Sequence, residues 1–251
     1  MKDKEGLDEK IGNYIKSQMI KRDAKKVIFG LSGGIDSVTL AYICAKYLKE
    51  NTIVMVMPDE SVTPKSETKD AVQVINNLGL DSINCSIKNI HSTYSKSLPF
   101  HNIASGNLRA RIRANILYYY ANATDSIVVG TSDKSEYLIG YFTKFGDGAC
   151  DIMPLCSLYK TQVRELAMKI GVPSYIINKK SSANLWIGHK AESELGLDYD
   201  KIDVILKYIE RMIPAETCSR KTKIPFEKVW YIYDRNLKNS HKRRLPDMFV
   251  G

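Results

Sequence analysis

Gly30-Leu31-Ser32-Gly33-Gly34-Ile35-Asp36-Ser37 is the stretch on which the reading of this chain turns. It follows the apolar run Lys26-Val27-Ile28-Phe29-Gly30-Leu31 and precedes a segment with helical spacing through Val38, Leu40, Ile43 and Leu48. The first reads as a buried strand, the second as a helix. Glycines at such a junction let backbone N–H groups approach an anion closely, and the helix N-terminus adds roughly half a positive charge. Ser32 and Ser37 can donate hydroxyl hydrogen bonds, and Asp36 can hold a metal ion against phosphates. A plain glycine turn with a Ser or Asp cap is the bland alternative. Two flanking serines and an aspartate between strand and helix favour a phosphate loop over residues 30–37. It is not a Walker A loop, because no G-K-[ST] is present, and no G-x-G-x-x-G marks a dinucleotide fold.

Outward from this loop, apolar strands alternate with amphipathic helices. Further strands are predicted at 53–57, 82–90 and 126–130, and helices at 7–19, 36–49, 64–78 and through Leu108, Ile112, Ile116 and Tyr119. Strands apolar throughout and separated by helices mean a parallel sheet covered on both faces. The expected fold class is therefore α/β: an open, mostly parallel sheet with helices on both faces, as one domain over residues 1–251. Beyond Thr131 the rhythm breaks. Ser132 to Leu158 reads as a functional loop, followed by a helix at 161–170, an irregular stretch at 178–196 and helices at 199–212 and 226–237. Mobile substrate loops are expected near 58–66 and 178–198.

Composition narrows the class. The 251 residues are 44% hydrophobic and 26% charged, enough for a sizeable core. Apolar runs such as Ile53–Met57 have strand length, so no membrane span is expected. The charged start, with no apolar stretch behind it, is unlike a signal peptide, and a soluble, cytoplasmic protein is expected. Net charge is +9, and residues 219–251 carry nine basic residues against three acidic ones. That concentration suits a local phosphate site as well as it suits nucleic acid. Cys44, Cys85, Cys150, Cys156 and Cys218 form no CxxC pair, so reduced, mostly buried thiols are expected.

The S-G-G-x-D-S run resembles the loop of the ATP pyrophosphatases, which grips the pyrophosphate leaving group while a substrate oxygen attacks the α-phosphorus. Gly106-Asn107-Leu108-Arg109-Ala110-Arg111-Ile112-Arg113 and Val129-Gly130-Thr131-Ser132-Asp133-Lys134-Ser135-Glu136 resemble the ammonia-dependent NAD synthetase family. So do Gly140-Tyr141-Phe142-Thr143-Lys144-Phe145-Gly146-Asp147, Asp151-Ile152-Met153-Pro154-Leu155, Leu158-Tyr159-Lys160-Thr161 and His241-Lys242-Arg243-Arg244-Leu245-Pro246. The resemblance covers about residues 7 to 248 and implies an ATP pyrophosphatase-like fold. It implies amidation of deamido-NAD (nicotinic acid adenine dinucleotide) by ammonia, through an adenylated intermediate, with AMP, pyrophosphate and NAD released. It places ATP on residues 30–37, Thr131, Lys160 and Ser182, and deamido-NAD on Arg111, Lys144, Asp151, His241 and Lys242. Asp147 is assigned to the incoming ammonia, and Asp36 and Glu136 to Mg²⁺. Such enzymes are homodimers with substrate near the subunit boundary, so a homodimer is expected, with no nucleic-acid or membrane partner.

Elementary electrostatics agrees, because a carboxylate attacking a polyphosphate needs cations around the phosphates. Of Arg109, Arg111 and Arg113, only Arg111 projects away from the other two, and two of the three read as solvated helix charges. One departure concerns a mobile segment that commonly reads P-S-A-x-L and then G-Q-x-D-E. Here it reads Ser181-Ser182-Ala183-Asn184-Leu185 and Gly188-His189-Lys190-Ala191-Glu192, so the acid is lost at Ala191. If that acid aids closure or ammonia handling, either Glu192 or Glu194 has taken its role or the enzyme is slow, and His189 reads as a loop residue. Glutamine-using relatives carry an added glutaminase domain, so free ammonia is the expected donor. The alternatives are another ATP pyrophosphatase ligase, GMP-synthetase-like or tRNA-modifying, and a nucleotide-sensing module without catalysis.

Overall fold

Alternation along four short strands sorts the core into two layers. In the computed structural model, which describes residues 6–179 and 194–249, β1 (Lys26–Gly30), β2 (Thr52–Val56), β3 (Asp81–Asn84) and β4 (Ser126–Val128) pair in parallel in the order β3-β2-β1-β4. Val27, Phe29, Val54, Val56 and Ile127 face one layer, with α1 (Leu7–Lys21), α2 (Ile35–Tyr47), α3 (Lys65–Leu78), α7 (Lys160–Lys169) and α8 (Ser174–Ile177). Ile28, Ile53, Met55 and Val128 face the other, packed on Ile112 and Ala121 of α5 (Asn102–Ala123) and on Ile87, which leads into α4 (Lys88–Ser95). Each such fully buried aliphatic side chain contributes roughly 1.5–3 kcal/mol, so the period-2 pattern holds the sheet between its helices.

A third cluster joins α6 (Lys134–Ile139) to α9 (Tyr199–Glu210), α10 (Ala215–Thr222) and α11 (Phe226–Lys238) through Ile139, Tyr199, Ile202, Leu206, Val229 and Ile232. It places the basic C-terminal segment beside the sheet rather than away from it. No helix among the described residues is long and apolar enough to cross a membrane.

Most predicted elements are present. The helix expected at 64–78 begins at Lys65, after Pro64, and ends at Gly79, whose φ of 61° is the left-handed cap the sequence pattern implies. The strand expected over 82–90 is a correction. β3 ends at Asn84, and Cys85 and Ile87 donate backbone N–H bonds to Val56 and Pro58 before α4 begins. Apolar residues at 83, 85 and 87 have strand spacing, but Ile87 and the buried His91 already share a helix face. The stretch 132–158 is also not wholly irregular. It contains α6, started by the Asp133 side chain accepting the Glu136 N–H at 2.8 Å. Expected residues 180–193 of the substrate loop near 178–198 lie outside the described residues.

Candidate active site

Strand order reverses between β1 and β4, and the loops leaving their C-terminal ends part to form a crevice, where open α/β sheets hold ligands. Here the crevice is a cavity of about 710 Å³ whose wall includes the 30–37 loop and Gly130-Thr131-Ser132.

The loop has an internal brace. Ser37 Oγ donates to the Gly34 carbonyl at 3.0 Å, lies 3.1 Å from Ser32 Oγ and accepts the Ser32 N–H at 3.2 Å. Gly33 sits at φ 81°, where a Cβ would lie 2.5 Å from the Glu67 carbonyl oxygen of α3. Only glycine allows that close docking of loop on helix. Gly30, Ser32, Gly34, Asp36 and Ser37 line the cavity, as do the buried Leu31 and Ile35.

Beside the loop lies a charge cluster. Asp36 from the first turn of α2, and Asp133 and Glu136 from the start of α6, present carboxylate oxygens within 4.8 Å of one another. Lys160 Nζ sits among them at 2.6 Å from Asp36 Oδ2, 2.9 Å from Asp133 Oδ2 and 2.8 Å from Glu136 Oε1. The ammonium is fully buried, against the ring of the equally buried Tyr199, 5.2 Å away. Burial alone would lower the Lys160 pKa, but the three carboxylates hold it well above its ordinary value. Burial also pushes Asp133 up to about 6 and Glu136 up to about 8, against the pull of Lys160, with neighbouring carboxylates adding to the rise. Asp36 Oδ1 is buried with no hydrogen-bond partner. Three carboxylates, one ammonium and an orphaned buried oxygen fit a hard divalent cation with oxygen ligands. The N-terminus of α7, which carries Lys160, is fixed by Ser135 Oγ, which accepts the Lys160 N–H at 2.9 Å and donates to Asp203. Asp203 in turn accepts the Thr161 N–H at 2.9 Å.

The far end of the cavity is polar. Asp147 is exposed to the cavity and accepts the Thr143 N–H at 2.8 Å; partial desolvation by the surrounding protein raises its carboxyl above the ordinary range. Lys242 Nζ donates to the Gly140 and Phe142 carbonyls at 2.8 and 3.0 Å. Glu194 accepts from Tyr141 Oη at 3.2 Å and pairs with Arg235 at 3.4 Å. Met55, Met57, Leu117 and Val128 add apolar side chains to the same wall.

Thr131, Glu136, Asp147 and Lys242 thus stand on the same cavity wall as the phosphate loop. Lys160 stands behind that wall, holding carboxylates that reach it. Arg111, Lys144, Asp151 and His241 are not on it. Arg111 is exposed and donates to the Lys144 carbonyl at 3.3 Å, His241 is exposed, and Asp151 accepts the Val128 N–H at 2.7 Å along the edge of β4. Ser182, His189, Ala191 and Glu192 lie outside the described residues. The arginine expectation needs correcting, since only Arg111 of the three is exposed. Arg109 is buried on Asp59, with Nε 2.6 Å from Oδ2, and Arg113 lines the cavity with Nε 2.9 Å from the Met57 carbonyl oxygen.

Sequence reasoning missed Asp133, although its position three residues before Glu136 is the spacing of a helix cap. It also missed Tyr199 and the Asp59–Arg109 pair, whose partners lie far apart in the chain and leave no local signal.

A family model described as NAD synthase matches residues 7–246. The NH(3)-dependent NAD(+) synthetase of Methanocaldococcus jannaschii is 44% identical over 248 residues, 96% of this chain and 95% of that protein. That of Hyperthermus butylicus is 43% identical over 249 residues, 97% of this chain and 90% of its own length. Among solved structures, the chain is similar to NMN synthetase from Francisella tularensis, with a TM-score of 0.85, 31% identity and 96% of each chain covered. It is also similar to NH3-dependent NAD synthetase from Campylobacter jejuni, with a TM-score of 0.84, 30% identity, and 99% and 100% covered.

Proposed function

Because the chain belongs to the NAD synthase family, we propose that it is an AMP-forming amide ligase that joins ammonia to the nicotinate carboxylate of deamido-NAD, consuming ATP and releasing NAD. The observation that carries this is the meeting, on one cavity wall, of a phosphate loop, Asp36 and Glu136 of a three-carboxylate cluster, and Asp147.

The loop amides, the Ser32 and Ser37 hydroxyls and Thr131 receive the ATP phosphates. Asp36 and Glu136, with Asp133 beside them, would hold Mg²⁺, which would supply the positive charge that lets a carboxylate approach a triphosphate. Lys160 keeps the three carboxylates gathered, with Asp36 and Glu136 on the cavity wall. A carboxylate oxygen of deamido-NAD attacks the α-phosphorus, and pyrophosphate leaves toward the loop. The apolar wall of Met55, Met57 and Leu117 keeps water from the acyl-adenylate. Asp147, its carboxyl raised by partial desolvation, accepts a proton from ammonium, and the ammonia formed attacks the acyl carbon as AMP departs. Lys242 holds the 140–142 turn at that end of the cavity. Arg111, Lys144, Asp151 and His241, off the cavity wall, suit a dinucleotide that runs outward toward a second copy of the chain in a homodimer.

Similarity to the Francisella protein favours a second reading, amidation of the mononucleotide rather than the dinucleotide. The test offers purified protein Mg-ATP and ammonium with either deamido-NAD or nicotinic acid mononucleotide, and detects amide product and AMP by mass spectrometry. NAD from the dinucleotide, at a kcat/KM well above that for the mononucleotide, is expected. Preference for the mononucleotide would replace the first reading with the second. Equal turnover with glutamine alone would remove ammonia as the donor.

A further inference from the structure

We propose that Lys179, which no step above uses, is a positioning residue that locks one peptide of the phosphate loop with its N–H toward the cavity. The inference rests on the reading of residues 30–37 as the ATP phosphate site. Lys179 follows α8 and lies on the cavity wall. Its Nζ donates to the Gly33 carbonyl at 3.0 Å, to Asp70 Oδ2 at 2.5 Å and to Glu67 Oε2 at 3.2 Å. An ammonium has three N–H donors, and these three acceptors use all of them. Lys179 is therefore not arranged to grip a phosphate itself.

What it grips is the carbonyl of the Gly33–Gly34 peptide. In a trans peptide the C=O and N–H point in opposite directions. Drawing the carbonyl to Lys179 turns the Gly34 N–H the other way, where it donates to Ser32 Oγ at 3.3 Å on the side on which Ser32 and Gly34 line the cavity. The peptide needs such a restraint because glycine flanks it on both sides. Rotation about Gly33 ψ and Gly34 φ meets little steric resistance and would turn the carbonyl dipole onto the phosphates, replacing attraction by repulsion. Inside the loop, Ser37 Oγ occupies the Gly34 carbonyl and Ser32 Oγ accepts the Gly34 N–H in a long bond, while the carbonyl of the peptide between the glycines is held by Lys179.

Glu67 and Asp70 of α3 complete the device. They hold the ammonium in place from the helix on which Gly33 is docked. Without Lys179 they would leave two carboxylates beside a polyanion site. One ammonium thus fixes a donor for the phosphates and screens two acids from them.

The test is calorimetric titration of wild type, Lys179→Met and Lys179→Arg with three probes: Mg-ATP, Mg-pyrophosphate and adenosine. Lys179→Met should weaken Mg-ATP and Mg-pyrophosphate about tenfold or more, the scale of one charge-assisted hydrogen bond, and leave adenosine within about twofold. Lys179→Arg, which keeps charge and donors, should recover most of that loss. In turnover, KM for ATP should rise while KM for deamido-NAD stays nearly constant. Unchanged pyrophosphate affinity in Lys179→Met would overturn the lock, as would an equal loss of adenosine affinity or failure of the arginine to recover. A wild-type protein that binds neither ATP nor pyrophosphate would instead overturn the phosphate-loop reading, and the lock with it.

Discussion

Among the charges around Lys160, Asp36 is the one the fold can lose. Three carboxylates face a single buried ammonium, so removing one relieves repulsion and leaves Lys160 still paired with Asp133 and Glu136. Asp36→Ala is therefore expected to leave the melting temperature unchanged or higher, while kcat falls by about 100-fold or more through loss of the proposed metal ligand. Calorimetry and steady-state turnover on the same sample check both halves. Near-full activity at limiting Mg²⁺ would remove the ligand role. Lys160→Met should do the opposite to stability, because it leaves one buried and two partly buried carboxylates with no cation, a change of about 3–5 kcal/mol. At this scale the sequence was informative wherever partners are local. Asp36 could be read from its place in the 30–37 loop, and Glu136 from its place just beyond a strand. Asp133 was hidden because an aspartate beginning a six-residue helix looks like any cap. Tyr199 was hidden because only folding brings α9 to α7. Burial of Lys160 is likewise invisible in a first-turn lysine, which on a chain looks solvent-bound.

At the level of elements, the turn after β2 is held by Asp59. Its fully buried carboxylate accepts from Arg109 Nε on α5 at 2.6 Å and from the Ser61 N–H at 3.0 Å, with the Ser61 hydroxyl also bound and His91 Nδ1 of α4 at 3.8 Å. Burial pushes this carboxyl up, but the Ser61 and Arg109 bonds outweigh it and hold the pKa below the ordinary 3.8. Asp59→Ala removes the carboxylate partner of a buried guanidinium and should cost about 3–5 kcal/mol in urea unfolding near neutral pH. A lowered carboxylate pKa contributes stability that is fully present above 3.8 and lost as pH falls through the folded value. The gap between wild type and Asp59→Ala should thus shrink as pH goes from 5 toward 3. A gap that stays constant would show that the carboxylate charge is not what matters. Long helices with several apolar periods, such as those at 7–21 and 65–78, were legible, and so were the three strands nearest the site. Helices α6, α8 and α10 were not, because four to eight residues show too few turns for a period to stand out. At β3 the chain alternates correctly for strand and then continues into helix with the same residues, so the boundary is set by burial of Ile87 and not by pattern.

Across the whole molecule, the cavity is closed by residues about a hundred positions apart. Lys242 reaches the Gly140 and Phe142 carbonyls, Arg243 reaches the Leu138 carbonyl at 2.8 Å, and Asn239 the Ile139 carbonyl at 3.1 Å. The basic C-terminal excess is therefore in part a clasp on the turn that carries Asp147, which charge counting could not reveal. Lys242→Ala should raise KM for deamido-NAD about tenfold while changing that for ATP less than twofold, since only the polar end of the cavity loosens. Steady-state kinetics with each substrate varied in turn checks this, and equal weakening of both would mean general damage to the fold. If one cavity activates a carboxylate on ATP and then delivers ammonia to it, the path of the carboxyl oxygen records the order of events. A single turnover with deamido-NAD carrying ¹⁸O in its nicotinate carboxyl, followed by mass spectrometry of AMP, pyrophosphate and NAD, reads that path. Attack of the carboxylate on the α-phosphorus predicts that one labelled oxygen is carried into AMP and none into pyrophosphate. Unlabelled AMP, or label in pyrophosphate or inorganic phosphate, would contradict the account.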